Sequence, residues 1–239
     1  MQVKVIGCST SWTDKPVSSY CINSTMLVDC GEGTLKHYSK CNIDFKKINN
    51  ILITHMHSDH FLGVASLISQ VLVYEGEDQK YRLSIYGPKG LLKALTALKE
   101  LYSCPTTNKR VEDYIKVVEL SSGQTFNVEG FEIETIELDH NGMTNLAYII
   151  KEDNKTIGFS GDCTYDANTQ KFVEKCDMCF IDCCNERTTK SHMGAEHLLQ
   201  MQEQYPQKRL IAVHCTDEFL LKAKELNIET TESGKKYDF

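Results

Sequence analysis

Residues 55–60 read His-Met-His-Ser-Asp-His, directly after the apolar run Ile51-Leu52-Ile53. No other stretch restricts the fold so tightly. A short β-branched run of this kind is a buried strand, so the histidines sit where a strand ends and a loop begins. His55 and His57 are two apart and project to the same side of an extended chain. Asp59 repeats that spacing, and His60 opens a helix expected from Phe61 to about Val73. Neutral imidazole with carboxylate is the donor set of zinc and related divalent ions. The chain holds 8 His in 239 residues, and three inside one hexapeptide is not the scatter of a solvated polar turn.

The rest of the chain alternates short apolar runs with helical periods. Strands are expected at Val3–Gly7, Tyr20–Asn23, Met26–Asp29, Ile51–Thr54, Leu83–Tyr86, Ile115–Glu119, Gln124–Val128, Phe131–Asp139, Leu146–Lys151, Thr156–Ser160, Met178–Cys183 and Leu210–Val213. Helices are expected at Thr34–Ser39, along the Leu91, Leu95, Leu98 stripe, and at Asn168–Glu174, Gly194–Gln204 and Asp217–Leu226. The tail after residue 226 carries no legible element. This alternation predicts an α/β fold with sheets inside and helices outside. It falls into two halves near 1–135 and 136–226 with no linker between them, so residues 1–239 are read as one domain.

The polar side chains at strand ends repeat the opening pattern. His140 follows Ile136-Glu137-Leu138, Asp162 follows Ile157-Gly158-Phe159, and His214 follows Ile211-Ala212-Val213. Strand ends deliver such groups to one edge of a sheet, where ligands converge. Together with His55, His57, Asp59 and His60 they make a set too large for one tetrahedral zinc. The set suits two metal ions sharing one carboxylate.

Composition narrows the partners. The formal net charge is −7, and a grip on long nucleic acid needs a basic face. The nearest basic pair, Lys109-Arg110, is followed by Glu112 and Asp113. No apolar run is long enough for a membrane span, and the chain opens on a strand pattern rather than a signal peptide. Eleven Cys, an odd count, are therefore expected to be reduced thiols in a cytoplasm. Cys176-Asp177-Met178-Cys179 has a CxxC form, but its overlap with a buried strand assigns it to packing.

With these residues assembled, the chain resembles the metallo-β-lactamase-fold hydrolases, and among them the ribonuclease Z-like branch. The resemblance is carried by Asp29-Cys30-Gly31-Glu32-Gly33-Thr34, the HMHSDH hexapeptide, Gly87-Pro88-Lys89-Gly90, His140, Gly161-Asp162, Ser191-His192-Met193 and His214. It implies an αββα four-layer sandwich with metals at one sheet edge. It assigns His55, His57 and His140 to one metal, Asp59, His60 and His214 to the other, and Asp162 to both. It implies two divalent ions, zinc first and manganese second. They make a hydroxide available near neutral pH and clamp an in-line displacement at a phosphodiester. It also makes His192 the general acid and Asp59 an orienter of the attacking oxygen. In the branch the acid histidine is steadied by a carboxylate from a His-Glu-Ala-Thr segment. Here that segment reads Ile181-Asp182-Cys183-Cys184, so Asp182 takes the role with a side chain one methylene shorter. His37 and His197 match no motif and are expected at the surface.

Transfer-RNA 3′-processing members of the branch carry a long arm between the histidine corresponding to His140 and the aspartate corresponding to Asp162. Here only residues 141–161 separate the two, and the expected hairpin uses most of them. The substrate is therefore expected to be a small cyclic nucleotide, such as cyclic CMP, UMP, AMP or GMP. The chain is similar to the phage anti-Pycsar phosphodiesterases, which destroy such immune signals. The alternative is a tRNA 3′-processing endoribonuclease with its arm on another subunit. A base pocket is expected from the unpatterned stretch Ser103–Tyr114, with Arg110 and Tyr114 binding substrate at the metal site, of the same chain or of a partner in a homodimer.

Overall fold

The computed structural model describes residues 1–74, 83–102 and 110–239. Two sheets divide the strands. The first has the order β13-β1-β2-β3-β4-β5-β6 and the second β12-β11-β10-β9-β8-β7. In the first, β1 is Gln2–Gly7, β2 Ser19–Ile22, β3 Met26–Val28, β4 Asn50–Leu52, β5 Leu83–Pro88, β6 Ile115–Leu120 and β13 Lys236–Asp238. In the second, β7 is Thr125–Val128, β8 Phe131–His140, β9 Met143–Glu152, β10 Lys155–Phe159, β11 Met178–Asp182 and β12 Arg209–Val213. The helices are α1 (Thr34–His37), α2 (Ser58–Phe61), α3 (Val64–Tyr74), α4 (Leu91–Tyr102), α5 (Ala167–Lys175), α6 (Ala195–Gln204) and α7 (Asp217–Glu225).

Period-2 burial explains the layering. Leu52 faces the second sheet while its neighbours Ile51 and Ile53 face helices. The middle core joins Val3, Tyr20, Met26 and Leu52 to Ile133, Tyr148, Phe159 and Phe180. One outer core packs Val64, Ile68, Leu91 and Leu95 on the first sheet. The other packs Phe172, Leu198, Met201 and Phe219 on the second. The result is the expected αββα sandwich. The uneven alternation of β8 has a cause in these layers. Phe131 and Ile133 serve the middle core, whereas Ile136 and Leu138 lie under the second helical layer.

Three differences from expectation have local reasons. The helix starting at His60 is two helices, interrupted after Phe61, because Gly63 presses on the Gly31 turn: a Cβ there would stand 2.1 Å from the Gly31 carbonyl oxygen. The tail is not featureless. Its β13 pairs with β1, and Tyr237 is buried at 4% exposure. The chain leaves the first sheet between Leu120 and Thr125, earlier than a division near 135, because β7 and β8 pair as a hairpin through Val128 and Phe131. Cys176 and Cys179 are fully buried in the second outer core, as packing requires. No helix among the described residues is long and apolar enough to cross a membrane.

Candidate metal centre

Strand direction gathers the site. β3 and β4 run parallel, as do β10, β11 and β12, and two antiparallel steps through β9 align β8 with them. Their C-terminal ends carry Asp29, His55, His140, Asp162, Asp182 and His214 to one edge of the sandwich. Asp59 and His60 come from α2 just beyond β4. The backbone of Leu146 donates to Thr54 O at 2.9 Å, and the Tyr148 hydroxyl donates to Ile53 O at 2.8 Å. These bonds tie the two sheets together where the histidines begin. At Gly161 the approach is so close that a Cβ would lie 2.2 Å from Asn145 Oδ1, and its φ of +60° favours glycine as well.

Among the described residues, four groups of donors have their ligand atoms within 4.8 Å of one another. Two of them, Cys184 with His192 and His214, and Asp162 with Asp182, His192 and His214, include His192 and overlap one expected set through His214. The other two are the expected sets: His55, His57, His140 with Asp162, and Asp59, His60, His214 with Asp162. In the first, His57 Nδ1 lies 3.1 Å from His55 Nε2 and 3.2 Å from His140 Nε2. Asp162 Oδ2 is 3.8 Å from His55 Nε2. In the second, His214 Nε2 is 3.2 Å from Asp59 Oδ2 and 3.4 Å from Asp162 Oδ2, and His60 Nε2 is 3.1 Å from Asp162 Oδ1. A tetrahedral zinc with bonds near 2.1 Å holds its ligands roughly 3.4 Å apart, within this spread. His60 Nε2 and Asp162 Oδ1 are buried, lie 3.1 Å apart outside good hydrogen-bond geometry, and bond to no other group, so a cation held by both fits.

The outer nitrogens fix which imidazole atom faces inward. His60 Nδ1 donates to Asp29 Oδ2 at 2.7 Å, and His140 Nδ1 donates to Ser191 O at 2.7 Å. The Thr54 hydroxyl donates to Asp29 at 2.9 Å, which leaves its lone pair for His55 Nδ1 at 3.1 Å. Each Nε2 is thus free to ligate. Burial, reinforced by neighbouring imidazoles, lowers the pKa of His55 and His57 and keeps them neutral. Burial also opposes charge on His60 and His214, but Asp162 and further carboxylates outweigh it and raise both pKa values. A metal at these atoms therefore displaces protons. Two of these residues pay in backbone strain: Asp29 and His214 have φ of 58° and 59°, a region non-glycine residues rarely enter. The His214 amide is held by Cys8 O at 2.7 Å.

His192 stands over this edge. Its ring stacks on His214 at 5.2 Å and meets His140 edge-on at 5.2 Å. Its Nδ1 donates to Asp182 Oδ2 at 2.9 Å, so the shorter acid does reach it. The fully buried Asp182 also accepts from the Cys163 amide at 3.0 Å. Burial opposes the imidazolium, yet the hydrogen bond and charge of Asp182 prevail and raise the His192 pKa.

Other expectations are corrected. Tyr114 is 8% exposed in the first outer core, and Arg110 pairs with Asp113. Because β4, β5 and β6 are parallel with Asn50, Ser84 and Lys116 in register, both residues lie at the start of β6, the end opposite the histidines. Within one chain they do not line the site. Residues 103–109 of that stretch lie outside the described residues. His197 is not a plain surface residue: it is half-buried, stacks on Tyr165 at 4.1 Å and bonds Thr188 of the His192 loop. The resemblance rests in part on Asp29 but assigns it no role; an acid closing a strand two residues before Gly31 is its only signal in the sequence.

A four-layer αββα sandwich with paired histidine–carboxylate sets at its edge defines the class: the metal-dependent hydrolases of the metallo-β-lactamase fold. Residues 1–235 match the family described as Anti-Pycsar protein Apyc1, and the chain belongs to that family. Among curated proteins it is 36% identical to the ribonuclease Z of Thermoplasma acidophilum over 127 residues, 53% of this chain and 38% of that protein. The ribonuclease Z of Halalkalibacterium halodurans is 37% identical over 131 residues, covering 54% and 39%. The match thus spans under half the length of these relatives. Among solved structures, the metallo-β-lactamase fold protein YhfI of Bacillus subtilis superposes with a TM-score of 0.81 at 20% identity, covering 99% of this chain and 98% of that one. Human tRNase Z, short form, gives a TM-score of 0.76 at 20% identity, with 100% and 99% covered. These two likenesses speak for the fold.

Proposed function

We propose that the protein is a phosphodiesterase that hydrolyses small cyclic nucleotides, in keeping with its family. The observation that carries the reading is the short path from His140 to Asp162. β9 and β10 take up residues 143–152 and 155–159 as a plain hairpin, which leaves no arm for a large RNA. The net charge of −7 agrees.

In this reading His55, His57 and His140 hold one cation, Asp59, His60 and His214 hold a second, and Asp162 serves both. Two divalent ions, zinc with manganese as the alternative, would supply an activated water near neutral pH and neutralise charge on the phosphodiester. Asp59 additionally orients the attacking water through its carboxylate. The water oxygen forms a bond to phosphorus as the bond to the leaving ribose oxygen breaks in line. That oxygen leaves as an alkoxide and needs a proton. His192, with Nδ1–H held by Asp182, gives it from Nε2 and recovers one from solvent, its side chain being 25% exposed. General acid help of this kind contributes on the order of 10²–10⁴-fold. Arg110 would meet a metal centre only in a partner subunit, consistent with a homodimer; sedimentation of the pure protein tests that.

The curated relatives named ribonuclease Z favour a second reading, cleavage of precursor tRNA. Incubating the zinc-loaded protein with cyclic CMP, UMP, AMP and GMP and, separately, with precursor tRNA decides. Conversion of a cyclic nucleotide to its linear monophosphate supports the proposal, and selective release of a tRNA trailer overturns it.

A further inference from the structure

The loop between β1 and β2 carries the chain's single Trp, and that residue is 91% exposed. Among the described residues it is the one aromatic side chain left in solvent. Tyr165 is already stacked on His197, and Tyr86 on Phe126. Exposing an indole forgoes a large apolar burial, so its position matters.

The loop is an ordered part of the metal edge. Cys8 O accepts from the amide of His214, and Ser9 Oγ donates to Cys215 O at 3.1 Å. On the other side, Ser11 Oγ donates to Glu32 Oε1 at 3.0 Å, and the Glu32 amide donates to Ser58 O, next to Asp59. Inside the loop, the buried Thr10 accepts from the Trp12 amide at its hydroxyl, and the Thr13 hydroxyl donates to Thr10 O. The backbone beneath the indole is therefore bonded to the elements that carry His214 and Asp59. Trp12 lies one residue, roughly 3.8 Å of Cα path, from the Ser11–Glu32 bond.

Resting on the reading of the site as a cyclic-nucleotide phosphodiesterase, we propose that Trp12 is the platform on which the substrate's base stacks while the phosphodiester sits at the metal centre. The chemistry suits the site. A mononucleotide offers one charged phosphate and one flat base, and the donor sets above deal only with the phosphate. Stacking accepts purines and pyrimidines alike, since every base has a π-face. Trp12 thereby contributes affinity and takes no part in bond breaking.

The test uses the zinc-loaded protein and two probes, cyclic CMP and the base-free ribose 3′,5′-cyclic phosphate. Trp12→Ala should raise KM for cyclic CMP by about 5- to 150-fold, the range expected for losing one stacked base. It should leave kcat and the kinetics of the base-free compound unchanged, and Trp12→Phe should restore KM to within about threefold of wild type. An unchanged KM for cyclic CMP in Trp12→Ala overturns the proposal, as does an equal loss on the base-free compound. Fluorescence of the single Trp gives an independent readout. Saturable quenching by cyclic CMP, and none by the base-free compound, is expected. If the wild-type protein cleaves no cyclic nucleotide, the functional reading fails, and the quenching titration still decides whether Trp12 stacks a base.

Discussion

Asp29→Asn separates the support of the metal centre from its ligands. Asp29 is 1% exposed and accepts from the Thr54 amide at 2.8 Å, the Thr54 hydroxyl at 2.9 Å and His60 Nδ1 at 2.7 Å. Asparagine has the same shape and tolerates the positive φ of 58° at this position, so backbone strain does not confound the result. It keeps one acceptor oxygen and gains a donor. If the oxygen stays on Thr54, the new NH2 faces His60 Nδ1, which must then accept. The proton moves to Nε2 and His60 ceases to be a ligand. If the amide flips, donor faces donor at Thr54. Loss of such an outer partner weakens metal affinity about 10- to 100-fold, or about 1.4–2.7 kcal/mol. The loss should fall on the Asp59, His60, His214 set and largely spare the His55, His57, His140 set. Zinc content after dialysis against graded free zinc reads both. Wild-type retention of both ions would refute the tautomer argument.

Other perturbations probe neighbouring parts. Asp182→Asn should slow cyclic-nucleotide turnover by at least about tenfold with metal content intact. Asp182 raises the His192 pKa, so protonated His192, the acid form, is lost only as pH rises through that raised value; the variant should move the alkaline limb of kcat to lower pH. Gly161→Ala should lower the unfolding free energy from chemical denaturation by about 2 kcal/mol or more and cost bound zinc, since its Cβ meets Asn145 Oδ1 at 2.2 Å; wild-type zinc content would contradict it. Tyr237→Ala removes a ring packed edge-on against Phe180 at 5.2 Å and should cost about 3 kcal/mol in chemical denaturation, whereas an inert tail predicts no change.

The clustering of the candidate ligands was legible because they lie at or just past the ends of apolar runs, and a sheet brings strand ends together whatever the loops do. The same alternation gave sheets inside and helices outside, whereas the four-layer αββα arrangement came from the resemblance. What stayed hidden was tertiary. The interruption after Phe61 arises where Gly63 touches Gly31, distant in sequence. The work of Asp29 is done through hydrogen bonds to Thr54 and His60, invisible to spacing. Tyr114 and Arg110 were expected at the metal site because a basic, aromatic stretch suggests a pocket, whereas the parallel register of β4, β5 and β6 puts these two residues at the far end of their own chain. β13 was missed because a three-residue edge strand with one buried side chain, Tyr237, carries no periodic signal.

The central claim is hydrolysis of a small phosphodiester at the paired donor sets. Its most direct test is product analysis of cyclic CMP incubated with three samples: the zinc-loaded protein, the same protein after chelation, and zinc-loaded Asp162→Ala. A linear monophosphate is expected from the first alone, and from the chelated sample once zinc is added back. Intact cyclic nucleotide in all three, or equal product from Asp162→Ala, would contradict it.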